Sequence, residues 1–226
     1  MTDKPPRRLL LSRRAAIARL GAVALAAAPF ATVRGAAPAG CVLTPEQTEG
    51  PFFLDTRQER ADLRTDPTDG NVRDGVTLAL ALRVQRYSGG ACSPLAGAVV
   101  DVWHCDAAGE YSGTAGGQRF LRGYQITDGE GVVRFTTIYP GWYPGRAVHI
   151  HVKVRSGTRE LTSQLYFDDA LSDRVFARRP YAREGRGKLR NEQDGLYRDR
   201  GRQLTLSPVA QDAGFAAAFD LSMKLG

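Results

Sequence analysis

The chain has 226 residues, of which 42 % are hydrophobic, 24 % charged and 8 % aromatic. That globular mix excludes collagen-like, coiled-coil and wholly disordered chains, and the length points to one domain or at most two. The formal charge of +7 is concentrated at the start: residues 1–40 hold seven Lys/Arg and one acid, and the other 186 hold 24 basic and 23 acidic side chains, which gives no electrostatic case for a nucleic-acid partner.

Residues 1–40 read as an address. A basic stretch over 1–14 is followed by nine uninterrupted apolar residues, Leu20–Ala28, too few for the roughly 20 that span a bilayer. Ser12-Arg13-Arg14-Ala15-Ala16-Ile17 resembles the twin-arginine export signal, with an ordinary signal peptide as the alternative. The expectation is an exported protein, periplasmic or extracellular, whose domain runs over 41–226. Cys41, Cys92 and Cys105 agree with export, since an odd count suggests one disulfide and one remaining thiol. Three pairings are open. Cys41–Cys92 is preferred because both precede the region of chemistry.

From residue 76 the chain reads as strands. Val76–Val84 and Ala98–Cys105 alternate as half-buried strands do. Arg119–Thr127 and Gly131–Ile138 flank the turn signal Asp128-Gly-Glu-Gly131 and are predicted to form a hairpin. Ala147–Arg155, Leu161–Phe167, Gln203–Leu206 and Phe215–Leu225 are further strands, and no segment holds a helical period. Residues 174–202, with ten Lys/Arg against four acids, read as a solvated loop, or less simply as a patch for an anion. The pattern predicts an all-β sandwich of mainly antiparallel strands with long loops.

The chain has three histidines, and two of them stand in Val148-His-Ile-His-Val-Lys-Val154. Strand residues i and i+2 share a face, so Val148, Ile150, Val152 and Val154 turn to the core while His149 and His151 stand together on the other side. Two adjacent imidazoles suit one metal ion. Upstream, Pro and Gly bracket Tyr143 in Tyr139-Pro-Gly-Trp-Tyr-Pro-Gly-Arg146, and Tyr111 follows the strand end Val102-Trp-His104 in a loop. His104 reads as a hydrogen-bonded histidine at a strand end.

These motifs resemble the intradiol ring-cleavage dioxygenases, the catechol and protocatechuate dioxygenase family. The matching stretches are Thr44-Pro-Glu-Gln-Thr-Glu-Gly-Pro51, Pro94–Ala98, Val102-Trp-His104, Gly109-Glu-Tyr111, Thr137–Tyr143, Arg146-Ala-Val-His-Ile-His151 and Ser163-Gln-Leu-Tyr-Phe167. The resemblance implies a non-haem Fe(III) held by Tyr111, Tyr143, His149 and His151, with Tyr143 and His151 axial. Phenolate oxygens suit a hard ferric ion, and a trivalent neighbour makes a phenol easier to ionise. It further implies that an o-diphenol and O2 are the substrates, that Tyr143 accepts a substrate proton, and that a muconate-type diacid results. Arg146 maps to the arginine that steadies negative charge on the ring. Gln164, Thr48, Gly50 and Pro51 map to the substrate pocket. Only five residues separate Tyr143 from His149, and no N-terminal helical dimerisation region is seen. With the export signal, this places the chain nearer a secreted branch. Two rival readings are a zinc hydrolase or hydratase built on His104, His149 and His151, and a non-catalytic exported binding sandwich.

Overall fold

The structure, a computed structural model, describes residues 41–114, 116–181 and 189–226. The expected signal segment lies outside them.

Two sheets face each other. In the first, β1 (Thr77–Ser88) is central, and its alternation puts Leu78, Leu80, Leu82 and Val84 wholly inside. One edge of β1 pairs antiparallel with β5 (Val132–Ile138) and then with β2 (Ala91–Pro94); the other pairs in parallel with β9 (Gly214–Met223), and β8 (Val209–Gln211) lies beyond. The second sheet has the order β4 (Arg122–Ile126), β3 (Val99–Trp103), β6 (His149–Ser156), β7 (Arg159–Tyr166), antiparallel throughout. Its inner face contributes Val100, Val102, Ile150, Val152, Val154 and Leu165 to a core shared with Phe135, Ala217 and Leu221 of the first sheet. Each of these side chains larger than alanine stabilises the fold by about 1.5–3 kcal/mol. The fold is the β-sandwich expected from the sequence.

Register then sets out the opposite face. Arg122, Trp103, His151 and Gln164 pair in one row across the four strands, and His149 pairs with Tyr166 in the next. An extended strap, residues 44–55, crosses this face. It is tied by Ser163 Oγ to Pro45 O at 2.7 Å, Gln47 N to Thr162 O at 2.9 Å and an ion pair between Lys153 and Glu49. The Cys41–Cys92 disulfide anchors its start to β2, as preferred from the sequence, and Cys105 is a buried thiol.

Four expectations are corrected. The hairpin over 119–138 does not form: β4 pairs with β3 and β5 with β1, so the turn at 128–131 carries the chain from one sheet to the other. The turn itself is real, with Asp128 Oδ1 accepting from Glu130 N and Val132 N. The Thr127 hydroxyl, bonded to Leu95 O and Ala98 N, draws the end of β4 to its own sheet. Residues 203–206 are not a strand. A 3-10 turn occupies Gly201–Leu204, entered through Arg200 at φ +72°, and Thr205 only bridges to Tyr166. Helices exist: α1 (Asp169–Phe176), capped by the Asp168 side chain on Leu171 N, and the single turn α2 (Gly195–Arg198), capped by Asp194. Each cap satisfies an N–H that the helix itself leaves open. Nor is the described part of 174–202 a solvated loop, because Tyr181, Asn191, Asp194 and Tyr197 are buried.

Candidate metal centre

His149 and His151 point outward from β6 and are sealed in, at 2 % and 1 % exposure. Their Nε2 atoms lie 3.1 Å apart. The His149 Nδ1 is 2.7 Å from Ala147 O, which fixes the proton on Nδ1 and leaves Nε2 with its lone pair. Burial lowers the His149 pKa to about 3 and takes His151 well below the usual histidine value, so both rings are neutral at pH 7. Trp103, the cross-strand partner of His151, stacks on it at 4.8 Å and 7°.

Two loops bring in the phenols. The Tyr111 hydroxyl is 3.5 Å from His149 Nε2, and the Tyr111 and Tyr143 rings meet edge-on at 5.6 Å. Tyr143 also lies 5.8 Å from the His149 ring. Glycines allow this approach. Gly109 has φ +84°, and a Cβ there would fall 2.1 Å from Trp142 O; a Cβ on Gly141 would fall 2.4 Å from Asp106 O. Asp106 closes the Tyr111 loop, accepting from Ala108 N at 2.8 Å and Glu110 N at 3.0 Å. Burial raises both phenol pKa values, Tyr111 the more strongly, with the Arg146 charge opposing the rise.

The Arg146 guanidinium is braced from two sides. Its Nε donates to Asp194 Oδ2 at 2.9 Å and its Nη2 to Gln164 Oε1 at 2.6 Å. Gln164 Nε2 donates to Thr48 O at 2.8 Å, and the Tyr166 hydroxyl donates to Gln47 Oε1 at 2.8 Å. Gly50, at φ +70°, runs beside His151, where a Cβ would sit 3.4 Å from the ring. Thr48 and Pro51 are exposed on the strap. His104 is elsewhere: its Nδ1 is 2.8 Å from Cys105 O and its Nε2 2.7 Å from Thr137 Oγ1. With both ring nitrogens engaged, it is the structural histidine expected. Among the described residues no three of His, Cys, Asp and Glu are grouped for a metal, and His104 is held by other partners, so the three-histidine zinc reading is not favoured.

Residues 48–206 match the family model described as "Dioxygenase". The intradiol ring-cleavage dioxygenase from Tetranychus urticae superposes with a TM-score of 0.74 at 29 % identity, covering 81 % of this chain and 95 % of that one. The chain belongs to the intradiol ring-cleavage dioxygenase family. A second member similar to it is the dioxygenase domain of a carbohydrate-binding fusion from Streptomyces sp. SirexAA-E, with 33 % identity and a TM-score of 0.62 over 82 % of this chain and all of that one. Chlorocatechol 1,2-dioxygenase of Pseudomonas putida is 32 % identical over 142 residues, 53 % of this chain and 52 % of that protein. The chain spans about half the length of the curated relatives it matches.

The donor set fits a ferric ion. Two nitrogens at adjacent corners of a coordination shell, each about 2.1 Å from the ion, stand about 3 Å apart, and the two Nε2 atoms are at 3.1 Å. Two neutral imidazoles and two phenols that only a strong positive charge would ionise suit a hard trivalent cation.

Sequence reasoning missed several residues that build this site. Asp194 arrives from a segment taken for solvated loop. Gln47 and Tyr166 complete the network around Arg146. Phe52 stacks on Tyr111 at 4.2 Å and 15°, and Phe53 packs on Trp103 at 4.9 Å. Gln47 and Tyr166 lie inside the matching stretches 44–51 and 163–167, and Phe52-Phe53 directly follows the Gly50-Pro51 turn; those positions were the available signal.

Proposed function

We propose that this chain is a non-haem Fe(III) dioxygenase that inserts both atoms of O2 into a catechol-type aromatic. The bond between the two hydroxylated carbons breaks and a muconate-type diacid forms. Diphenol and O2 together supply every atom and electron of the product. The convergence of Tyr111, Tyr143, His149 and His151 carries this reading. When bound, the ferric ion would supply a Lewis acid that draws the diphenol in as an electron-rich dianion.

The rest is the work of side chains. Tyr111, His149 and His151 are buried and would hold the ion. Tyr143 is only half-buried and stands beside Arg146, which suits it, once ionised by the bound ferric ion, to take a proton from the incoming diphenol at its phenolate oxygen. Arg146, held by Asp194 and Gln164, keeps a fixed positive charge where negative charge develops on the ring. Phe52 shields the Tyr111 ring and limits water there. Gly50 leaves room over His151, and Thr48 with Pro51 would form the neighbouring rim of the pocket.

Oxygen uptake by iron-loaded protein across a panel of o-diphenols tests the proposal, with ring-opened diacids followed as products. Uptake matched by diacid supports it; none across a broad panel refutes it. Export by the twin-arginine route is part of the same reading, and the Cys41–Cys92 disulfide supports an oxidising compartment. Replacing Arg13 and Arg14 by Lys should leave the protein in the cytoplasm on fractionation; unchanged export would refute the route.

A further inference from the structure

Arg122 stands at the end of the row that holds His151, and it is only 2 % exposed. Its contacts are all to neutral oxygens. Nε donates to Ser112 Oγ at 2.7 Å, Nη2 to Ser112 O at 2.6 Å and Nη1 to Phe52 O at 3.1 Å. Among the described residues no carboxylate pairs with it. A buried cation without a counter-anion is costly and does not persist without a reason. Burial, with Arg119 adding to it, pushes the guanidinium down to about 10, and Tyr111 is the group that opposes this. It remains charged at pH 7.

The two residues it grips are informative. Ser112 follows Tyr111 in the chain, and Phe52 is the ring stacked on Tyr111. One guanidinium therefore fixes the backbone behind the phenol and the cover above it. We infer that Arg122 is a positioning residue for Tyr111, clamping its loop to the strap and supplying the positive charge that offsets its phenolate when it binds iron. The inference rests on the proposed ferric site. It explains why an arginine is buried here where a neutral side chain would pack at less cost.

The test is the visible tyrosinate-to-iron band and the iron content of the full-length, iron-loaded protein. A nearby cation lowers the energy of the filled phenolate orbital and keeps the band at shorter wavelength. Arg122→Gln should shift the band to longer wavelength, and Arg122→Lys should hold it near the wild-type position. Ser112→Ala removes a contact but no charge and should leave the band in place. A folded, iron-bearing Arg122→Gln with the wild-type band overturns the inference, as does a Ser112→Ala shift of equal size. Should Arg122→Gln fail to fold, Arg122→Met decides: a band moved to longer wavelength supports the inference and an unmoved one overturns it. Wild-type protein that binds iron without any such band overturns the ferric reading and this one together; a wild-type band indifferent to Arg122 overturns this one alone.

Discussion

Asp194→Ala puts the support of Arg146 under the most severe strain. The carboxylate is 2 % exposed and accepts from Arg146 Nε at 2.9 Å, Ala147 N at 2.8 Å and Leu196 N at 2.8 Å. Its loss strands two peptide N–H groups, at about 1 kcal/mol each. It also leaves a guanidinium whose side chain is only 16 % exposed without its anion, and breaking a buried pair costs about 3–5 kcal/mol. Arg146 keeps Gln164, which moderates the sum, so a destabilisation of about 3–5 kcal/mol is expected in urea unfolding. Asp194→Asn retains an acceptor and should lose about half of that. Burial raises the Asp194 pKa, but the Ala147 N–H, the Arg146 charge and the Leu196 N–H outweigh it and hold the group below its usual value. A depressed carboxylate stabilises the fold above its unfolded pKa of about 3.9 and loses that contribution as pH falls through the folded value. The gap between wild type and Asp194→Asn should therefore be full at pH 7 and close below about pH 4. In a cycle with Arg146→Met the double change should cost less than the sum of the single ones. A loss under about 1 kcal/mol for Asp194→Ala, or an additive cycle, would refute the reasoning.

Three other outcomes are expected. Gly109→Ala forces a Cβ onto Trp142 O at a positive φ, so it should cost about 2 kcal/mol or more and weaken iron retention, measured by thermal unfolding and iron analysis. His104→Gln breaks contacts to Thr137 and Cys105; it should lower stability by about 1–3 kcal/mol while leaving iron per chain unchanged, and loss of iron alone would restore the three-histidine rival. Cutting the Cys41–Cys92 link, which closes 51 residues, should cost about 2–4 kcal/mol on the chain-entropy argument, read from unfolding of Cys92→Ser.

What the sequence made legible was local. Alternation identified β1, β3, β6 and β7 because each has one apolar face, and period two alone put His149 beside His151. The four ligand candidates followed from motif order, and the structure brings them together. The partners of each strand were not legible. A turn signal at 128–131 reports only that the chain reverses, while the Thr127 hydroxyl decides which sheet β4 joins. The parallel pairing of β1 with β9 joins residues more than a hundred positions apart, which no local pattern encodes. Helix α1 was written in the sequence as Asp168 before Leu171 and Val175, but eight residues are too short for a period to stand out. Asp194 was hidden by averaging: a basic stretch looks solvated even when one acid in it is buried against an arginine 48 residues earlier.

Iron content and visible spectrum, measured together on wild type, Tyr143→Phe and His149→Ala, bear most directly on the ferric centre. One iron per chain with a red-brown tyrosinate band is expected for wild type, with the band altered in Tyr143→Phe and the iron depleted in His149→Ala. Iron and colour unaffected by both substitutions would contradict it.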